Sequence, residues 1–125
     1  QKVLKEMSQV RVEKIDLAEN EIGAEAIKEL IRGGIERKGS SIKMLNLSKN
    51  NLGDNLIRKL CLSLVQYKTM NYLNLTETCI GNEGARYLGL LIEQNYFIKE
   101  LILKWNKIQG QGGVFIANGL KQNGE

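Results

Sequence analysis

The sequence predicts an α/β solenoid: a horseshoe arc of stacked strand–turn–helix units, with a parallel sheet on the concave side and helices on the convex side. Three observations carry this. The chain matches itself at a period of 28 residues, the spacing from Ile42 to Met70 and from Met70 to Ile98. Apolar residues then fall into columns: Ile15, Leu45, Leu73 and Leu101, followed by Leu17, Leu47, Leu75 and Leu103. Last, a polar residue recurs amid the leucines at Asn20, Asn50, Thr78 and Asn106. A fixed period of this length marks a unit that cannot bury its apolar face alone and must stack on its neighbours.

Taken in order, residues 1–11 fit the closing helix of a preceding unit, with Val3, Leu4 and Met7 on one face. Four units follow at 12–41, 42–69, 70–97 and 98–125, the first two residues longer than the rest. Each opens on an apolar residue (Val12, Ile42, Met70, Ile98) and makes a short strand, about 44–48 in the second unit. Because strand side chains alternate between faces, the leucines point inward and the residues between them outward. Neither end carries a polar capping unit, so the chain is expected to be an internal piece of a longer repeat protein.

The polar column follows from hydrogen-bond accounting. Where each strand turns inward, backbone N–H and C=O groups lie inside the solenoid without a strand partner. Leaving one buried and unpaired costs roughly 1–3 kcal/mol. Asparagine offers both a donor and an acceptor in one side chain. Asn20, Asn50 and Asn106 are therefore expected to form a structural ladder. Thr78 interrupts it, and the third turn, beside Cys79, is expected to be the weak one.

The helical half supplies Leu30, Leu60, Leu88 and Ile116, with Ala26, Leu56, Gly84 and Gly112 four residues earlier. Gly23, Gly53 and Gly81 precede the helices, and Glu25, Asp54, Asn82 and Glu83 stand in their first turns. Acids and amides there complement the helix dipole and cap free N–H groups. The fourth unit has Gln109 in place of the glycine. Its GQGG run lacks the following Lys-Ser/Thr of a phosphate loop.

The pattern L-x-x-L-x-L-x-x-N-x-I-G-x-x-G-A-x-x-L, seen best as LNLTETCIGNEGARYL, resembles the ribonuclease-inhibitor-like class of leucine-rich repeats across residues 12–125. That resemblance implies a curved solenoid that works by binding proteins. Its members include ribonuclease inhibitor, the Ran GTPase-activating protein, sensor domains of NOD-like receptors and axonemal subunits of the dynein regulatory complex. With two cysteines, this chain departs from ribonuclease inhibitor, which is cysteine-rich.

Composition narrows the function classes. The 125 residues are 42% apolar and 26% charged, with net charge +4, the basic residues interleaved with acids along the chain. Neither nucleic-acid nor membrane binding is expected. There is no histidine, which removes His-based triads and His metal sites, and two cysteines alone cannot hold zinc. We therefore expect no enzyme and no cofactor. The expected function is a protein-binding module or scaffold within a larger assembly. Its expected location is the cytoplasm, with the ciliary axoneme as a setting that the resemblance suggests. Regulation of a small GTPase is the alternative. The expected binding surface is the concave face, through Met44, Asn46, Tyr72, Asn74, Glu77, Glu100, Ile102, Lys104 and Trp105. Trp105 is its expected hot spot, because binding energy concentrates in Trp, Tyr and Arg. Tyr67, Tyr96 and Phe97, at the helix-to-strand returns, are expected to pack.

Overall fold

A computed structural model describes residues 11–124. The closing helix expected over 1–11 falls on 1–10, outside the described residues. Four short strands, β1 (Lys14–Asp16), β2 (Met44–Asn46), β3 (Tyr72–Asn74) and β4 (Glu100–Ile102), form one parallel sheet in chain order. Each is followed by a helix: α1 (Ala24–Glu29), α2 (Gly53–Leu64), α3 (Asn82–Gln94) and α4 (Gly110–Asn123). The result is the α/β solenoid that the repeat predicts.

Between sheet and helices lies one apolar core. Leu45, Leu47, Leu73, Leu75, Leu60 and Leu88 have no exposed surface, and Met70 and Ile80 join them. Strand registers are in phase, with Ile15, Leu45, Leu73 and Leu101 side by side. Fully burying a leucine is worth roughly 1.5–3 kcal/mol, so the leucine columns hold the stack together. The two extra residues of the first unit emerge as local geometry. Helix α1 runs directly into a π-helical segment, Leu30–Ile35, before the chain returns to β2.

Asn50 and Asn106 each bond to backbone groups of their own turn and of the turn one unit earlier. The Asn50 Oδ1 accepts from the Asn20 and Ile22 N–H groups at 3.1 and 2.9 Å. Its Nδ2 donates to the Leu17, Leu47 and Ser48 carbonyls. Asn106 repeats this one unit along from the third turn. Its Oδ1 accepts from Thr78 N–H and Ile80 N–H, and its Nδ2 donates to Leu75, Leu103 and Lys104. Asn50 and Asn106 thereby also close the turn of the unit before, whereas Asn20 donates to the Ala18 carbonyl of its own unit.

This corrects the expectation that the third turn is the weak one: Asn106 closes that turn. The altered turn is the second. The Thr78 hydroxyl is used on its own Leu75 carbonyl at 2.9 Å. Leu52 N–H turns back to the Asn50 carbonyl, and Gly53 N–H reaches the Thr78 carbonyl. The backbone follows. In the amide-closed first and third turns, Glu21 and Cys79 take left-handed conformations, whereas in the second turn Gly53 does so, at φ 80°. Glycine alone adopts that region without steric cost. Gln109, by contrast, sits extended at φ −112°, as do Gly23 and Gly81, so glycine is not required there.

Helix capping also crosses between units. None of the helices receives a side-chain hydrogen bond from its own N-cap residue. Instead, Asp54 in α2 accepts from Gly81 N–H at 2.7 Å, and Asn82 in α3 accepts from the Gln109 and Gly112 N–H groups. Gly84 and Gly112 make room for that contact. A Cβ at Gly84 would lie 2.6 Å from the Asp54 Oδ1 and 2.8 Å from Ile80, and Gly112 has the same relation to Asn82 and Ile108. The tight packing is thus against the previous helix start and the unit's own turn rather than against the sheet.

A second polar ladder, unforeseen in the sequence, runs along the helix-to-strand returns. Its members are Tyr67, Asn95 and Asn123. Tyr67 Oη accepts from Ile42 N–H at 2.8 Å. Buried Asn95 donates to the Leu64 and Tyr67 carbonyls and accepts from Phe97 and Ile98 N–H groups. Asn123 donates to the Ile92 carbonyl. Tyr67 is thereby integrated, but Tyr96 and Phe97 are not. They stand 50% and 48% exposed, against the expectation that they pack.

Candidate functional site

The concave surface is built from the strand residues that alternate with the buried leucines. Strand register sets Lys14, Met44, Tyr72 and Glu100 in one row, and Asp16, Asn46, Asn74 and Ile102 in the next. Of these, Met44, Tyr72 and Ile102 are half-buried among their neighbours, while Glu100 is exposed. The sheet thus brings together a flat apolar centre at Met44–Tyr72 with polar flanks.

The asparagines of the second row are partly committed. Asn46 Oδ1 accepts from Ser48 N–H and Asn74 Oδ1 from Thr76 N–H, each at 3.0 Å. Asp16 does the same for Ala18. This is the Asx turn that starts the bend out of each strand. Asn74 Nδ2 also points to Tyr72 Oη at 3.3 Å, fixing the phenol over the sheet. The Oδ1 atoms of Asn46 and Asn74 are thus both engaged in their turns, and Asn74 Nδ2 is engaged by Tyr72 as well. Sequence reading missed this because the alternation assigns a face, not a bond.

Beyond the strands, the third residue after each strand is left-handed: Glu19, Lys49, Glu77 and Trp105, at φ between 55° and 59°. That conformation swings the side chain out of the strand plane, so these four make a rim over the loops. Lys49 and Glu19 pair at 3.5 Å across units. Glu77 and Lys104 are linked through the backbone, Glu77 N–H donating to the Lys104 carbonyl. Trp105 is 81% exposed, the most exposed large apolar side chain among the described residues. It shares the rim with Glu77 and Lys104. Met44 and Tyr72 lie deeper on the sheet, so the nine expected residues divide into a sheet group and a rim group.

The two thiols differ. Cys79 is partly exposed, while burial pushes the Cys61 thiol up to about 12. Desolvation favours its neutral form, which is the unreactive one. Among the described residues no three His, Cys, Asp or Glu side chains come together as a metal cluster would need. No helix there is long and apolar enough to cross a membrane.

Comparison with known proteins addresses the family. The profile of the Leucine Rich repeat family matches residues 40–61, 68–89 and 94–117, more than half of the chain. The chain belongs to the leucine-rich repeat family. These leucine-rich repeats are similar in sequence to mouse (Mus musculus) protein NLRC5, 27% identical over 114 residues, which are 89% of this chain and 6% of that protein. The chain thus spans a small part of that relative's length. In structure, the leucine-rich repeats are similar to actin-binding site 2 of leiomodin-1, with a TM-score of 0.78 over 98% of this chain and 70% of that one. At 19% identity this likeness carries the fold alone. The first matched segment begins at residue 40, at the very end of the first unit, so nearly all of that longer unit with its π-helical segment lies outside the match.

Proposed function

We propose that the chain is a non-catalytic protein-interaction module whose concave sheet and adjoining loop rim receive a protein partner. The observation that carries this is the row Met44–Tyr72 set in register on the sheet, together with a tryptophan 81% exposed on the loop rim. Exposed aromatics next to a rigid, hydrogen-bonded sheet fit the character of interface hot spots. Four strands at about 4.8 Å spacing make a sheet only about 19 Å wide. The concave columns and rim supply fewer residues than the roughly 20–30 per side of a standard interface. The module is therefore read as one contributor to a larger assembly rather than a complete receptor.

Its ribonuclease-inhibitor-like pattern supports a cytoplasmic scaffold, with the ciliary axoneme as the setting the resemblance suggests. A small GTPase is the competing partner. Crosslinking mass spectrometry in native cells, on the natural chain and a Trp105→Ala/Tyr72→Ala variant, tests the reading. Loss of a protein neighbour in the variant is the expected result, and tubulin or dynein-regulatory neighbours would establish the axonemal setting. Neighbours unchanged by the double substitution would remove the concave face from consideration.

A further inference from the structure

Along the sequence, acids and bases are interleaved; in the fold they are sorted. The segments that return each helix to the next strand lie side by side, joined by backbone bonds from Lys43 N–H to Glu13, Asn71 N–H to Lys43 and Lys99 N–H to Asn71. This return edge carries Arg11, Arg37, Lys38, Lys43, Lys68 and Lys99, against Glu13, Glu36, Glu93 and Glu100. Glu13 is already engaged, by Arg11 at 3.6 Å and Lys43 at 3.7 Å. The opposite, strand-to-helix edge carries Glu19, Glu21, Glu25, Asp54, Glu77 and Glu83 against Lys49, Lys104 and Lys107. The two edges of the arc thus have opposite sign.

The basic edge has two further features. Tyr96 and Phe97 stand about half exposed on it, next to Lys99. Beside Tyr96 opens a cavity of about 370 Å³, lined by Lys99, Leu91, Leu101, Leu103, Ile116 and Leu120 among others, so that it reaches from the edge into the fourth unit's core columns. At the other end of the edge, the Arg37 Nε is buried with no hydrogen-bond partner. A buried donor without an acceptor is unusual in a native structure.

We propose that the return edge docks an acidic segment of a partner protein that carries at least one large apolar side chain. The lysines supply charge complementarity, which sets specificity and association rate. Phe97, Tyr96 and the aliphatic cavity supply the apolar anchor. The cavity favours a peptide over a nucleic acid, because a base buried among aliphatic side chains would leave its polar edge unpaired. This site is separate from the concave face, and each can fail without the other.

Fluorescence anisotropy tests the proposal on the full chain. The probe is a short labelled peptide of glutamates around a central Leu-Phe pair. The expected result is saturable binding that weakens at least about tenfold in Lys38→Glu/Lys68→Glu/Lys99→Glu, as for charge reversal across an interface. Phe97→Ala should weaken it as well, while reversing Lys28, Lys59 and Arg86 on the helices leaves it within about twofold. All seven residues are on the surface, so circular dichroism should show each variant folded. Equal binding of the glutamine version of the peptide would overturn the proposal, as would an equal loss in the helix variant. Tighter binding of a labelled oligo-dT or of phosphatidylserine vesicles would replace the acidic peptide by a phosphate-bearing partner.

Discussion

Asn50 makes five hydrogen bonds, all to backbone of its own or the preceding turn, and of its partners the Ser48 carbonyl also accepts from Glu19 N–H. Asn50→Ala should therefore cost roughly 3 kcal/mol or more, read from a urea midpoint shift at unchanged slope. A loss below about 1 kcal/mol would mean that water replaces the amide. Thr78 poses the converse case. Thr78→Asn puts an acceptor within reach of the second turn, where Asn51 is a residue type that tolerates the left-handed region. The turn should then adopt the form seen around Glu21 and Cys79, releasing Gly53 from φ 80°. The test is a double-mutant cycle: Gly53→Ala costs about 1 kcal/mol or more in the natural chain and much less beside Thr78→Asn. Additive effects would show that the threonine does not set the turn. The presence of this ladder was legible in the sequence, because an amide recurring among leucines has few other uses. Its direction was not. A column of identical residues cannot show whether each serves its own unit alone or also the one before.

Between elements, the closest approach is that of α3 and α4. Gly89 lies against the Phe115 backbone and Gly119 against the Gly89 backbone, with no room for a Cβ at either. Gly119→Ala should force the helices apart and destabilise by about 1–3 kcal/mol, the cost of overpacking, which exceeds the gain of about 1 kcal/mol in helix propensity. At Gly113, in the same helix, a methyl group would meet nothing within 4 Å. Gly113→Ala should therefore stabilise by about 0.5–1 kcal/mol. Thermal unfolding of the two variants decides the matter, and shifts of the same sign would contradict the packing argument. Strands, helices and concave columns were legible because leucine periodicity fixes a face. The π-helical segment was visible only as two surplus residues, since a length difference does not say how it is absorbed. The return ladder escaped because tyrosine in one unit does the work of asparagine in the next, so residue identity does not repeat there. The exposure of Tyr96 and Phe97 escaped for a related reason: aromatic residues near a boundary read as packing when no partner for their rings can be seen.

At the scale of the whole molecule, a solenoid holds together through nearest-neighbour contacts, so a residue buried between two units is reached only when those units part. The two thiols report on this. Cys79 is partly exposed, whereas Cys61 is fully buried in α2, in the second of the four units. A thiol reagent at neutral pH should label Cys79 readily and Cys61 only as fast as the middle of the stack opens. Equal rates would mean that the core around Leu60 and Leu64 is loose. Burial also makes Cys61 a source of pH dependence. Its thiol rises from an ordinary value of 9.0 to about 12 in the folded chain. Because the folded value is the higher one, the folded state holds its proton where the unfolded state releases it. Stability from this group is complete below about pH 9 and falls as pH rises from there toward about 12. Cys61→Ala loses some packing at every pH but removes this titration, so its stability should decline less steeply across that window than that of the natural chain. Parallel alkaline slopes in urea titrations of the two proteins would show that Cys61 is not desolvated as the fold requires.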